Sequence, residues 1–333
     1  MRFVVLASAL DGDDSVLDLI DRLVDRLADQ VHLVEVPDAD LLQESSWYRS
    51  ARPTRRKVLT SAVANPPKKQ SSRGPHLKTV QVADADSARN ADRLAHTPLV
   101  VLVEDRESDG VLLEILVEEL GWPALRELWD QSQQVTPGAV EIDTAGGIDA
   151  IPQRIVRSAE DATREQQSPR LFVICDSDAR WPGDTEGLRE TKINRVLDTC
   201  EEYDVPHHVW RKRSAENYIP DEVFETVRDD PDGQGDAHRF NALLRRKRKQ
   251  RDHFPVKDGL KPKERKNAIE AELYDHSEEV DLRLLEKRLF PGRKRPLLKL
   301  QREYRSSFTA EGLRRRDGAD EIDEVLRAIA EEL

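Results

Sequence analysis

The sequence predicts an α/β fold: a parallel sheet flanked by helices, with an N-terminal β-α-β unit before it and a helical C-terminal extension after it. Three observations predict it. Aliphatic and β-branched runs at PLVVLV (residues 98–103) and LFVIC (residues 171–175) end abruptly in carboxylates. Continuous apolar runs bounded by polar residues fit strands buried on both faces of a parallel sheet. Helical stripes alternate with these runs, and from Asp236 onward only helical patterns appear.

In chain order, residues 3–8 (FVVLAS) read as a strand. Val16, Leu19, Ile20, Leu23, Val24 and Leu27 then form a helical stripe capped by Asp14 or Ser15, and residues 31–36 read as a second strand. Together they make a β-α-β unit, right-handed by the usual rule. No glycine-rich loop follows the first strand, and Asp11 stands where a phosphate would sit, so this unit reads as structural or partner-binding. Residues 45–78 are rich in Pro, Ser and basic side chains and read as a linker or long loop. Its alternative reading is a basic arm with Trp47 and Tyr48 free to stack on bases.

The strand at 98–103 leads into a helix expected from Asp109 to Leu120, capped by Ser108 and stopped by Gly121-Trp122-Pro123. A short strand at 139–142 is followed by Gly146-Gly147, a tight turn into a helix ending near Ala162. Strand 171–175 carries Asp176-Ser177-Asp178. On an extended backbone the two aspartates face the same way. A helix over 185–203 precedes a strand at 205–210, in which His207 and His208 are read as structural. A basic helix spans Asp236 to Arg251, and an amphipathic helix closes the chain from about Glu321 to Leu333.

The 333 residues suffice for one large or two ordinary domains. With 38% hydrophobic and 35% charged residues and a mean hydropathy of -0.69, the chain is strongly solvated. No apolar run approaches a membrane span, and MRFVVLASALDGDD lacks a basic region and cleavage site, so a cytoplasmic protein with no membrane partner is expected. Cys175 and Cys200 are too few for a disulfide framework. The net charge of -12 argues against nucleic acid in total but not locally: Asp11 to Asp25 is an acidic stretch, whereas Arg245–Lys249 and Arg293–Arg295 are basic.

Ligands of open α/β sheets bind beyond the carboxyl ends of the strands. Glu104 would sit at one such end and Asp176 and Asp178 at another, so on neighbouring strands these carboxylates would converge and need a cation or protons between them. Oxygen ligands of this kind suit Mg²⁺. A glutamate closing one strand and Asp-x-Asp closing a later one resemble the TOPRIM domain, a Rossmann-like fold of topoisomerases, primases and OLD-type nucleases. Residues 211–220 (RKRSAENYIP) add an Arg-x-x-Glu-Asn-Tyr segment similar to the OLD-like branch. The resemblance spans roughly residues 98–260. It departs from the family's Val-Glu-Gly-x-x-Asp at Asp105, which replaces the glycine. The next aspartate comes one position late as Asp109, with Glu107 as its competitor for the second acidic position.

What the resemblance implies is a metal-dependent endonuclease acting on DNA or RNA. It would be the effector of an antiphage defence system, with a separately encoded ATPase as partner because no Walker motif is present; a homo-oligomer is allowed. The division would be residues 1–95 as the N-terminal unit with its basic loop, 96–235 as the TOPRIM core and 236–333 as a basic helical region. Glu104, Asp176 and Asp178 would hold Mg²⁺ (Mn²⁺ as substitute), and a second ion would lie near Asp109 and Glu216. Lys257 in HFPVKDG would stabilise charge on the scissile phosphate. Arg211 and Arg213 would grip phosphate oxygens, and Arg245, Arg246, Lys247, Arg248 and Lys249 would contact the backbone. Topoisomerase activity is disfavoured by chain length, and primase activity by the lack of zinc-ribbon cysteines. The alternative is a non-catalytic TOPRIM-fold binding subunit of a nucleic-acid or ATPase complex.

Overall fold

Apolar runs fold as strands where the sequence places them, and the strands sort into two sheets. The computed structural model describes residues 1–64, 77–164, 167–184, 188–230, 236–270, 272–274, 279–290 and 296–333. The Pro- and Lys-rich stretch 66–75 and the basic cluster 293–295 lie outside the described residues. The chain divides into two compact units. One comprises Met1–Val100, Gly121–Glu141 and Val325–Leu333, the other Val101–Leu120 and Ile142–Glu324. These are not the sequence segments 1–95, 96–235 and 236–333.

In the first unit, β1 (Arg2–Val5), β2 (Leu33–Glu35) and β3 (Thr79–Val82) form a sheet in the order β2-β1-β3. β1 runs parallel to both neighbours, with Phe3 opposite Val34 on one side and Val80 on the other. The helix Asp14–Ala28 joins β1 to β2 and is capped by Asp13, which accepts from the Val16 N–H at 3.1 Å. Its buried face is the apolar stripe Val16, Leu19, Ile20, Leu23 and Val24.

Residues 45–64 correct the expectation of a linker. Ser46–Ser50 and Pro53–Ala64 are helices. Trp47 is 1% exposed, and its indole N–H donates to Asp21 at 2.9 Å. A large apolar ring with its polar tip satisfied is a core anchor, so Trp47 is not free to stack on bases. Arg55 pairs with Asp21 and Asp25 on the acidic helix. The basic content thus compensates the aspartates, and Arg and Lys are themselves good helix formers.

In the second sheet, β4 (Leu99–Val103), β5 (Val140–Thr144), β6 (Leu171–Cys175) and β7 (His207–Val209) lie in the order β5-β4-β6-β7. The Leu99 N–H donates to Ala139 at one end of the β4–β5 pair and the Ala145 N–H to Val103 at the other, which makes the pair parallel. β6 and β7 are also parallel, with Val173 opposite His207. Every residue of β6 is buried, the reason its sequence is uninterrupted by polar groups.

After β4 the chain makes a π-helical turn, Arg106–Gly110, and then the α-helix Val111–Leu120. The cap is Asp105, whose carboxylate accepts from the Glu107 N–H at 2.9 Å; Ser108, the cap expected from sequence, is buried inside the turn. Beyond β5, Gly146 and Gly147 adopt φ of 80° and 121°, conformations open to glycine, and the Gly147 N–H donates to the Glu104 carbonyl at 3.1 Å.

The expected basic helix over 236–251 is two shorter ones, Ala237–Leu244 and Arg248–Asp252. They belong to the second unit and carry apolar packing of their own: the Phe240 ring meets Phe224 and Phe290, at centroid distances of 6.1 and 5.5 Å. Among the described residues, no helix is long and apolar enough to cross a membrane.

Candidate active site

The carboxyl ends of β4 and β6 are adjacent. Glu104 follows β4 directly, and its Oε1 accepts from the Asp176 N–H, first residue beyond β6, at 3.0 Å. Asp176 in turn is 8% exposed, and its Oδ1 accepts from the Ala215 N–H at 3.0 Å. This bond draws the segment after β7, RKRSAENYIP, against the end of β6. Within that segment Glu216 is fully buried. Its Oε1 accepts from the Ser108 hydroxyl at 2.7 Å and faces Lys257 Nζ at 2.9 Å, while Oε2 accepts from the Ser214 hydroxyl at 2.9 Å.

Asp109 completes the group. The Gly110 N–H reaches the Asp105 carbonyl at 3.4 Å, the i→i+5 pattern of a π-helical turn. Such a turn takes up one more residue than an α-turn. The one-residue delay of the aspartate noted in the sequence is absorbed there, and Asp109 is carried inward to 3% exposure while Glu107 stays half-buried. Asp109 Oδ2 accepts from the Asp105 N–H at 2.9 Å, and Oδ1 is buried without a hydrogen bond.

The electrostatics follow from this crowding. Burial pushes the Asp109 acid up to about 8; Lys257 and the Asp105 N–H oppose the rise, and Glu216 and Glu104 add to it. Burial also holds Asp176 well above the usual carboxylate range, reinforced by Asp109, Glu104 and Glu216 and opposed by Lys257. Burial by itself would lower the Lys257 ammonium, but Glu216, Asp176 and Asp109 outweigh it and keep Lys257 above the usual lysine value. Two carboxyl groups held in a protonated tendency beside a firmly charged lysine describe a site with more negative charge than its protein cation balances.

The backbone at Asp178 differs from the extended one expected. β6 ends at Cys175, and Asp178 has a left-handed φ of 50°, so the alternation of an extended strand does not hold for Asp176 and Asp178. The stretch is tied instead to the segment after β7: the Ser177 hydroxyl donates to the Lys212 carbonyl at 2.7 Å, and the Asp178 N–H to the Arg213 carbonyl at 2.8 Å. Glu104, Asp109, Asp176, Glu216 and Lys257 act on one another's charges.

The expected phosphate-binding arginines are committed to protein carboxylates. Arg211 pairs with Glu324 and Arg213 with Glu264. In the basic run, Arg245 and Arg246 share Asp281, and Arg248 donates to the Arg316 carbonyl at 3.0 Å. Lys247 and Lys249 are exposed. The sequence assigns no site role to Ser108, read there only as a helix cap, which binds Glu216, or to Glu321, which anchors Tyr218. A serine between two acidic residues gives no signal of that kind, and Glu321 lies a hundred positions from its partner.

The donors here are hard oxygens, Asp109 Oδ1 is an orphaned buried acceptor, and the charge is in excess, which suits a divalent cation. Among the described residues, however, no three His, Cys, Asp or Glu side chains stand as a ready ligand set. The reason is local: Glu104 and Asp176 are turned to backbone N–H groups, and Glu216 to two hydroxyls and a lysine. Compared with known proteins, the chain matches no family model, no curated protein and no solved structure.

Proposed function

We propose that the chain is a Mg²⁺-dependent phosphodiester hydrolase of the TOPRIM type, cleaving DNA or RNA as the effector of an antiphage defence system with a separately encoded ATPase. The observation that carries this is the meeting of Glu104, Asp109, Asp176 and Glu216 around one lysine at the carboxyl edge of a parallel sheet. Side chains brought from positions so far apart to repel one another destabilise the fold, and an ion-binding role accounts for that cost. Glu104, Asp109, Asp176 and Glu216 would hold the metal, in a one- or two-ion arrangement. When bound, Mg²⁺ polarises a phosphoryl oxygen and lowers the pKa of water.

The chain's own residues would do the rest. Lys257 Nζ, released from Glu216, would lie against the phosphate and offset the charge that develops on it. Ser108 and Ser214, which donate to Glu216, would keep it in place once the lysine is released. Exposed Lys247 and Lys249 offer salt-sensitive contacts to the nucleic-acid backbone.

The test is incubation of the purified protein with plasmid and with tRNA, with and without Mg²⁺ or Mn²⁺. Metal-dependent cleavage that disappears in both Glu104→Gln and Asp176→Asn supports the proposal, and cleavage that survives both points to another site or a contaminant. The Lys257–Glu216 pair favours a second reading, a non-catalytic TOPRIM-fold binding subunit in which the lysine takes the ion's place. It predicts nucleic-acid or ATPase binding with no Mn²⁺ uptake and no cleavage.

A further inference from the structure

The segment that carries Glu216 is held from outside the site by one buried carboxylate. Glu321 opens the C-terminal helix Glu321–Glu332 and is 1% exposed. Its Oε1 accepts from the Arg211 N–H at 2.7 Å and lies 2.9 Å from His208 Nε2, and its Oε2 accepts from the Tyr218 hydroxyl. These partners come from β7, from the loop that leaves it, and from the turn Ala215–Tyr218 that contains Glu216. The same short stretch is gripped once more by the neighbouring C-terminal residues, where Lys212 Nζ donates to the Arg316 carbonyl; the pair of Arg211 with Glu324 is exposed and adds little to the placement. Tyr218 is itself packed, its ring 4.7 Å from that of Trp210.

We infer that Glu321 is a positioning residue for the candidate site, fixing the turn that presents Glu216 and the Ala215 N–H to Asp176. A carboxylate that accepts from a strand, a loop and a turn at once sets their relative placement, as outer partners of metal ligands do. Glu216 reaches Ser108 and Lys257 only if this turn sits where it does, and the turn's position is registered against β7 through Glu321. The inference rests on the proposed hydrolase function, since what Glu321 positions is a metal-ligand turn.

The experiment is a Mn²⁺ titration, read as loss of the free-ion electron paramagnetic resonance signal, on the full-length parent, Glu321→Ala, Glu321→Gln, Tyr218→Phe and the control Glu324→Gln. Urea denaturation first establishes conditions under which each is folded. Removing an outer partner typically costs 10–100-fold in metal affinity, so Glu321→Ala should bind Mn²⁺ at least about tenfold more weakly, with Glu321→Gln and Tyr218→Phe between it and the parent. Glu324→Gln alters only an exposed pair and should bind like the parent. Hydrogen exchange at the Ala215 amide, a readout that needs no metal, should quicken in Glu321→Gln and Tyr218→Phe but not in Glu324→Gln. Should Glu321→Ala fail to fold, those two milder variants decide. Parent-like Mn²⁺ affinity and Ala215 exchange in folded Glu321 variants would overturn this inference alone, whereas a parent that takes up no Mn²⁺ would overturn the hydrolase reading and this inference with it.

Discussion

Replacing Lys257 by methionine removes a cation that the structure sets among the site's carboxylates. Its Nζ is 2.9 Å from Glu216 Oε1; the Glu216 side chain is 0% exposed and that of Lys257 34%. Deleting one partner of a buried pair strands the other and typically costs about 3–5 kcal/mol. Because the lysine reaches solvent while the glutamate does not, we place Lys257→Met near the lower end, about 3 kcal/mol at pH 7. Urea denaturation should show this as a lower midpoint with an unchanged slope. Lys257→Met with Glu216→Gln should recover to within about 1 kcal/mol of the parent, since a neutral amide still bonds to Ser108 and Ser214. At a hundredfold excess over its Kd, Mn²⁺ should stabilise Lys257→Met by about 2.7 kcal/mol relative to the metal-free variant, and by more than it stabilises the parent at the same concentration. A loss below about 1 kcal/mol, or one that Glu216→Gln does not relieve, would refute the view that this lysine neutralises the cluster.

Further outcomes follow from other parts of the fold. Burial lowers Lys212 to about 7, with Arg316 adding to the effect and Asp252 opposing it, whereas an unfolded lysine titrates near 10.4. Between those values the unfolded chain keeps a proton that the folded chain gives up. Stability therefore rises with pH across that window, and the full penalty applies below it. Relative to the parent, Lys212→Met should gain about 2–3 kcal/mol more at pH 6.5 than at pH 9, measured by denaturation at the two pH values; a pH-independent difference would contradict the burial argument. Trp47→Ala empties a core position in the first unit and should cost about 3–5 kcal/mol, whereas Trp47→Phe should leave nucleic-acid affinity unchanged in a salt-matched binding assay. Gly147→Ala forces a side chain into φ of 121°, in open space but in a strained backbone conformation, and should lower stability by about 1–3 kcal/mol in the same denaturation assay.

The ends of β4 and β6 were legible because a strand buried on both faces cannot alternate, so its apolar run stops where the carboxylates begin. That Glu104 and Asp176 are neighbours follows from the strand order, which the sequence only made plausible. The π-helical turn was not legible: it depends on the bond from Gly110 to Asp105, and no residue type specifies that. The conformation of Asp178 was not legible because Asp tolerates a left-handed φ, which cancels strand alternation. The basic run looked like a polyanion surface because Asp281, which answers Arg245 and Arg246, lies far along the chain. Trp47 in a basic, Ser-rich context looked like a loop residue, although its indole partner Asp21 was already part of the first helix.

The most direct test of the account is a crystal grown with Mn²⁺ and examined for anomalous scattering. A metal bound at the site gives a peak among Asp109 Oδ1, Glu104, Asp176 and Glu216, with Lys257 Nζ moved off Glu216. Crystals that show no peak there at saturating Mn²⁺, with Lys257 still paired to Glu216, would contradict it.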